Sequence, residues 1–213
     1  IEVIIMLFMF LAGVNFTIYI HTWRKGTVSL RKNTEFKAYV AIILATVVVI
    51  TFSLVVQGGY QFWSALRQAA FQTVSVSTTT GFVVADYELW PGLPQMLLFF
   101  LMFIGGCGAS TSGGLKVNRI VILTRLCRNY IKQAVHQHLV TNVVLGDKVV
   151  DLLIVKNVVR FFILFMFIFA CASLALAATG LEPFKALAAA IAALGNAGPG
   201  FGVIGPTANY ASI

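Results

Sequence analysis

With 213 residues, 59% of them hydrophobic and only 10% charged, and a mean hydropathy of +0.92, this chain falls outside the soluble domains, in which roughly a quarter of residues are charged. It reads as an all-α integral membrane protein. The net charge of +8 raises nucleic acid as a partner, but the basic residues are placed for topology: one cluster is Arg24, Lys25, Arg31, Lys32 and Lys37, and the other is Lys116, Arg119, Arg125, Arg128, Lys132, Lys148, Lys156 and Arg160. Only Arg67 and Lys185 lie elsewhere. Positive charge concentrates on the cytoplasmic side of a membrane, so both clusters are read as cytoplasmic, residues around 57–93 and after 181 as facing the other side, and no nucleic acid is expected as a partner.

In chain order, Ile1 to Ile20 is apolar apart from Glu2, opens without a basic stretch and so does not read as a signal peptide. It is expected to be the inward-returning helix of one repeat, with a cytoplasmic linker completing residues 1–37. Ala38 to Val56 is an uncharged run long enough to cross about 30 Å of hydrocarbon, and it leads outward. Phe62 to Val76 is shorter, carries Arg67, Gln68 and Gln72, and has no basic turn at either end, which fits a re-entrant half-helix better than a span. Ser77-Thr78-Thr79-Thr80-Gly81-Phe82 follows, then a polar piece with Asp86, Glu88, Pro91 and Pro94, then an apolar run from Gln95 to Ile104 that covers only about half a bilayer. This inward helix is expected to break at Gly105-Gly106-Cys107-Gly108-Ala109-Ser110-Thr111-Ser112-Gly113-Gly114 and to resume from Leu115 toward Arg125.

The same grammar then restarts. After a cytoplasmic linker over 127–157, Val158 to Leu181 is an outward span, Pro183 opens a short Ala-rich helix over Phe184 to Leu194, and Gly195-Asn196-Ala197-Gly198-Pro199-Gly200-Phe201-Gly202 ends it. Setting Gly81 opposite Gly198 aligns two units of span, half-helix and glycine loop, over 38–126 and 158–213, a repetition common in pores and transporters. The expected whole is a fragment: the tail of one repeat, one full repeat, and most of another.

The chemistry of the loops is that of a cation path. A half-helix whose C-terminus points into the membrane brings partial negative charge to mid-depth, and carbonyls of a glycine-containing loop can replace a cation's water shell. Neither loop holds Asp or Glu, which suits a weakly hydrated monovalent ion better than calcium or magnesium. Residues 105–114 read either as a flexible gate across the pathway or as a small-residue helix-packing surface. A phosphate loop is excluded because Gly114 stands where the lysine belongs and no strand precedes it. Lys116 has two courses open: snorkelling to cytoplasmic headgroups, or projecting into the pathway as a fixed charge. Cys107, Cys127 and Cys171 form no metal or disulfide pattern. His136-Gln137-His138 reads as a solvated segment, Arg67 as an interfacial anchor, and the phenylalanine runs as packing or lipid-facing residues.

STTTGF after a half-helix, GGCGASTSGGLKV interrupting the next helix, and ALGNAGPGFG one repeat later closely resemble the membrane subunit of bacterial Trk-type potassium uptake systems, in the superfamily that includes Ktr and plant HKT transporters. The resemblance implies four membrane-pore-membrane repeats around a pseudo-fourfold pore in a multi-pass protein of the bacterial inner membrane. Potassium is implied as the transported ion, with no organic cofactor on this chain, and a homodimer with a cytoplasmic nucleotide-binding regulatory ring as the assembly. Carried over by motif, Thr79, Thr80 and Gly81 supply filter oxygens of the third repeat and Asn196, Ala197 and Gly198 those of the fourth. Residues Gly105, Gly106, Cys107, Gly108, Ala109, Ser110, Thr111, Ser112, Gly113 and Gly114, with Lys116, form the gate. Asn196-Ala197 departs from the threonines of the third repeat, so a sodium-permeable, Ktr-like transporter stays open as an alternative. So does a small-solute transporter with broken helices, although no intramembrane acid or aromatic pocket supports it. An intramembrane hydrolase lacks a nucleophile with a positioned base, and no enzyme activity is expected.

Overall fold

The computed structural model describes residues 1–25, 33–135, 142–146 and 148–206; Arg31, Lys32 and His136-Gln137-His138 lie outside them, as do the side chains of Arg24, Lys25 and Lys148. The helices are α1 (Glu2–Ala12), α2 (Phe16–Lys25), α3 (Thr34–Val56), α4 (Phe62–Ser77), α5 (Gly92–Leu101), α6 (Val117–Val135), α7 (Leu152–Ala178) and α8 (Pro183–Gly195). Single 3-10 turns stand at Tyr87–Leu89 and Gly202–Ile204. The all-α expectation has one small exception, a two-residue antiparallel hairpin of β1 (Val144–Leu145) and β2 (Lys148–Val149).

Two helices have the length and apolarity of a span. α3 rises about 35 Å and begins before Ala38, because Asn33 caps it by accepting the Phe36 N–H at 3.0 Å. Tyr39, Ile43, Val47, Ile50 and Leu54 form its buried stripe, while Leu44, Val48, Phe52 and Val56 on the other face are exposed, as lipid contact requires. α7 likewise starts earlier than Val158, capped by Asp151 through the Leu153 N–H at 3.1 Å. The expected linker over 127–157 is therefore helical at both ends, with α6 running on to Val135.

The two short helices are built differently. From Phe71 to Ser77 every residue of α4 is buried, whereas Phe62 and Trp63 at its start are exposed. α8 opens on Pro183 and buries Ala186 and Ala188 to Ala192. The last turns of α4 are thus enclosed by protein, and α8 is buried from Ala188 to Ala192 and again at Gly195, with Ala193 exposed between them.

Ile1 to Ile20 is not one helix. It breaks at Gly13-Val14-Asn15, where the Asn15 side chain accepts the Thr17 N–H at 2.9 Å and so caps α2. The freed Gly13 carbonyl accepts the Cys107 N–H at 2.9 Å.

Packing follows the two units. α4 lies against α1, α3 and α5; α3 also meets α5 and α6; α7 meets α6 and α8. Arg119 near the start of α6 stacks its guanidinium 3.7 Å from the Phe161 ring of α7. Between the units runs a chain of rings, with centroids 5.6 Å apart for Phe99 and Phe103, 5.0 Å for Phe103 and Phe169, 5.6 Å for Phe99 and Phe184, and 5.7 Å for Phe184 and Phe201. Phenylalanine thus serves both expected roles: Phe99 and Phe169 pack inside, and Phe100 and Phe167 face out. Since lipid is as apolar as a side chain, these rings contribute close packing more than water exclusion. Phe169→Ala is expected to cost about 3 kcal/mol, and Phe167→Ala under about 1 kcal/mol. Thermal unfolding of the two variants in detergent compares them, and equal shifts would remove Phe169 from the core.

Candidate functional site

The ends of α4 and α8 are the same turn. After α4, the Thr79 N–H donates to the Val76 carbonyl at 3.1 Å and the Thr80 N–H to that of Ser75 at 3.0 Å. After α8, the Asn196 N–H donates to Ala193 at 3.1 Å and the Ala197 N–H to Ala192 at 2.9 Å. Backbone angles repeat as well: φ is +54° at Thr79 and +56° at Asn196, then +79° at Gly81 and +89° at Gly198. Glycine takes that region freely and asparagine tolerates it, but a β-branched threonine there is strained. Asn196 is therefore the comfortable residue for its position, and Thr79 the costly one.

The side chains around the first turn are committed internally. Thr78 Oγ1 donates to the Val74 carbonyl at 2.7 Å and lies 2.9 Å from Thr80 Oγ1. Ser75 Oγ donates to the Phe82 carbonyl at 2.7 Å, and Thr79 Oγ1 accepts the Gly113 N–H at 2.8 Å. By contrast, the main-chain carbonyls of Thr79, Thr80, Gly81, Asn196 and Ala197 accept no hydrogen bond among the described residues. What the turns leave available for a cation is backbone oxygen.

The turns are neighbours. A Cβ on Gly81 would stand 3.1 Å from the Ala197 carbonyl oxygen, and one on Gly198 would stand 3.4 Å from Gly81 Cα. Tyr87 Oη donates to the Gly200 carbonyl at 2.7 Å, its ring stacks edge-on to Phe201 at 5.1 Å, and the Glu88 carboxylate accepts the Gly202 N–H. None of these ties was anticipated; Tyr87 carried no signal except as an aromatic residue beside the polar piece.

Residues 102–116 form a folded loop, not a helix-packing surface. Its ends are joined by Gly105 N–H to Leu115 O at 2.9 Å, Leu115 N–H to Phe103 O at 2.9 Å and Val117 N–H to Gly106 O at 3.0 Å. Inside it, Ser112 Oγ accepts the Gly106 N–H at 2.7 Å and lies 2.8 Å from Ser110 Oγ, which donates to Cys107 O at 2.6 Å. Lys116 does not extend away from the loop. Its ammonium turns back into the loop and donates to the Ser112 carbonyl, with Ser110 O at 3.3 Å and the Ser110 and Ser112 hydroxyls at 3.4 and 3.3 Å.

The loop's outer attachments reach two sides. Cys107 N–H bonds Gly13 O, Phe16 N–H bonds Ala109 O at 3.2 Å, and the Gly108 N–H is taken by the buried carboxylate of Glu35. On the other side are Gly113 to Thr79 and the close approach of Gly195, where a Cβ would come within 2.8 Å of Met102 O. Ala109 and Thr111 at the tip are exposed, whereas Cys107 is fully buried. Arg67, expected as an interfacial anchor, lies 3.4 Å from Glu2 across α4 and α1. Among the described residues no group of three or more His, Cys, Asp or Glu could hold a metal.

Two span-length apolar helices, each packed against a short helix that ends in a matching turn beside a folded loop, are the build of an integral membrane protein. Residues 1–212 match the family model of the TrkH cation transport proteins, and the chain belongs to that family. It is 34% identical over 215 residues to the Trk system potassium uptake protein TrkH of Salmonella typhimurium, covering 100% of this chain and 44% of that protein. It is 30% identical over 203 residues to TrkG of Escherichia coli K12, covering 95% and 42%. The crystal structure of the potassium transporter TrkH from Vibrio parahaemolyticus superposes with a TM-score of 0.92 at 33% identity, over 100% of this chain and 46% of that one. The chain thus spans less than half the length of these relatives.

Tyr87→Phe keeps the ring contacts but leaves the Gly200 carbonyl without its donor. A loss of about 1–2 kcal/mol is expected, read as a lower thermal midpoint in detergent; an unchanged midpoint would mean that this bond does not hold the two units together.

Proposed function

We propose that this chain forms two neighbouring quarters of a potassium-uptake pore in the bacterial inner membrane. The observation that carries the reading is the matched pair of turns meeting at Gly81 and Gly198, with unbonded carbonyls at Thr79, Thr80, Gly81, Asn196 and Ala197. Neutral oxygens at the negative ends of two half-helices favour a weakly hydrated cation. The relatives named as potassium uptake proteins supply the choice among monovalent ions.

The replacement of two threonines by Asn196-Ala197 weighs less than it does in the sequence. The backbone angles agree at 79 and 196 and at 81 and 198, so the carbonyl geometry is preserved where the side chains differ. This supports potassium transport over the sodium-permeable alternative. Other repeats of a pseudo-fourfold pore, a second copy of the protein and a cytoplasmic nucleotide-binding regulatory ring complete the proposed assembly.

Below the turns, residues 105–114 act as the gate, and Lys116 holds it closed by gathering the Ser110 and Ser112 oxygens. Flow is passive in this reading, and the gate restricts it until the regulatory ring acts.

Rubidium and sodium uptake into liposomes carrying the full-length protein and its regulatory partner tests the path. Gly81→Asp places a carboxylate at φ +79° against Ala197 and is expected to abolish or divert rubidium uptake; an unchanged ion preference would remove Gly81 from the filter. Lys116→Met is expected to raise uptake several-fold without the regulatory partner while leaving the rubidium-to-sodium ratio intact, since about one or two charge-assisted bonds are lost from the closed state. Unaltered or lower uptake would make Lys116 a packing residue.

A further inference from the structure

Glu35 is 5% exposed and is used by neither the turns nor the loop's own closure. It sits in the first turn of α3, where the helix dipole favours a carboxylate. Its oxygens serve other elements: Oε1 accepts the Gly108 N–H at the loop, and Oε2 accepts Asn15 Nδ2 at 3.3 Å. Asn15 in turn caps α2 through its Oδ1. One carboxylate therefore joins the start of α3, the loop and the break between α1 and α2.

Among the described residues no cation forms an ion pair with Glu35. A buried carboxylate without a counter-ion depends on its hydrogen-bond donors, and one of the two donors here belongs to the loop. A second acceptor stands close by: Asn118 Oδ1, in the first turn of α6, is buried and unpartnered, and its Cβ lies 4.0 Å from the position a Cβ would take on Gly108. The Gly108 N–H thus has one acceptor engaged, and a neighbouring side chain carries a second, unpartnered amide oxygen, the kind of alternative partner that a two-position element requires.

We propose that Glu35 is the positioning residue through which the start of α3 sets the loop: the loop is closed while Glu35 holds Gly108 and Asn15, and a shift of the start of α3 releases it. The proposal rests on the gate reading above for its consequence in transport, but the position of the loop can be read without any ion.

The test uses full-length protein in liposomes carrying Thr111→Cys at the exposed tip together with Cys127→Ser and Cys171→Ser, leaving the buried Cys107. A membrane-impermeant thiosulfonate reports tip exposure by its labelling rate. Glu35→Ala is expected to label about tenfold faster, the factor that follows from losing one charge-assisted hydrogen bond on one side of a two-state equilibrium, and to raise rubidium uptake without the partner at an unchanged ion preference. Asn15→Asp, which sets two carboxylates together, is expected to do the same. Combining Asn15→Asp with Glu35→Gln exchanges acid and amide and is expected to restore the original labelling rate. If Glu35→Ala does not fold, the Asn15→Asp single and the exchanged pair carry the test. Single variants labelling at the original rate, or an exchanged pair as fast as Asn15→Asp alone, would overturn the proposal. Labelling that responds as expected in a protein that takes up no rubidium would support the positioning role and overturn the potassium reading instead.

Discussion

Hydrocarbon offers no partner to a free N–H or C=O, so backbone that leaves the helix inside a membrane must be met by protein or by a wet path. Everything distinctive in this chain answers that constraint. The helix broken at Gly13 gives its carbonyl to Cys107, and the helix broken after Leu101 closes its ends through Gly105, Leu115 and Val117. Ser112, Glu35, Thr79 and Gly13 then take the loop's remaining inward N–H groups at Gly106, Gly108, Gly113 and Cys107. Held by these bonds, the loop has a defined shape. The turns after α4 and α8 are the contrast: the amides of Thr78 to Thr80, Asn196 and Ala197 are bonded, while the carbonyls of Thr79 to Gly81, Asn196 and Ala197 accept no hydrogen bond among the described residues.

The glycines follow from the same requirement. Gly106 and Gly113 let loop backbone approach Gly13 and Gly195 more closely than any Cβ permits, and Gly81 and Gly198 supply left-handed backbone where two turns touch. The alanines of α8 act similarly. Ala188 to Ala192 are nearly inaccessible, and bulkier residues would hold the half-helix away from the ring chain of Phe99, Phe103 and Phe169.

How far this was legible depends on what carried each signal. The bounds of the two short helices were readable because length and composition are properties of the segment itself; Phe62–Ser77 and Pro183–Gly195 fall within a residue or two of their expected bounds. The break at Gly13 was available in Gly-Val-Asn, a stop beside a capping residue, but the apolar run around it dominated. Glu35 was lost because charge was taken to end the span at Ala38, when in fact Asn33 capped the helix earlier and the carboxylate went inward to partners far along the chain. Lys116 was left between two courses for a related reason: its contacts are set by Ser110 and Ser112 only after the loop has folded. Spacing reveals what a segment does alone; such tertiary partners lie beyond it.

The loop's two halves answer to different neighbours. Residues 107–111 are held by Gly13, Phe16 and Glu35, while Gly113 is held against Thr79 and Gly195. Thr79 sits at φ +54°, a conformation costing a β-branched residue of order 1–3 kcal/mol, and its hydroxyl takes the Gly113 N–H. Displacing residue 113 therefore removes a bond that helps to hold the strained turn. Asn196, in the same conformation, needs no such support because its side chain tolerates it. The two turns alike in backbone are thus unlike in how they meet the loop: the threonine turn accepts the Gly113 N–H through a side chain, whereas the asparagine turn meets residue 113 by close packing at Gly195 and Asn196.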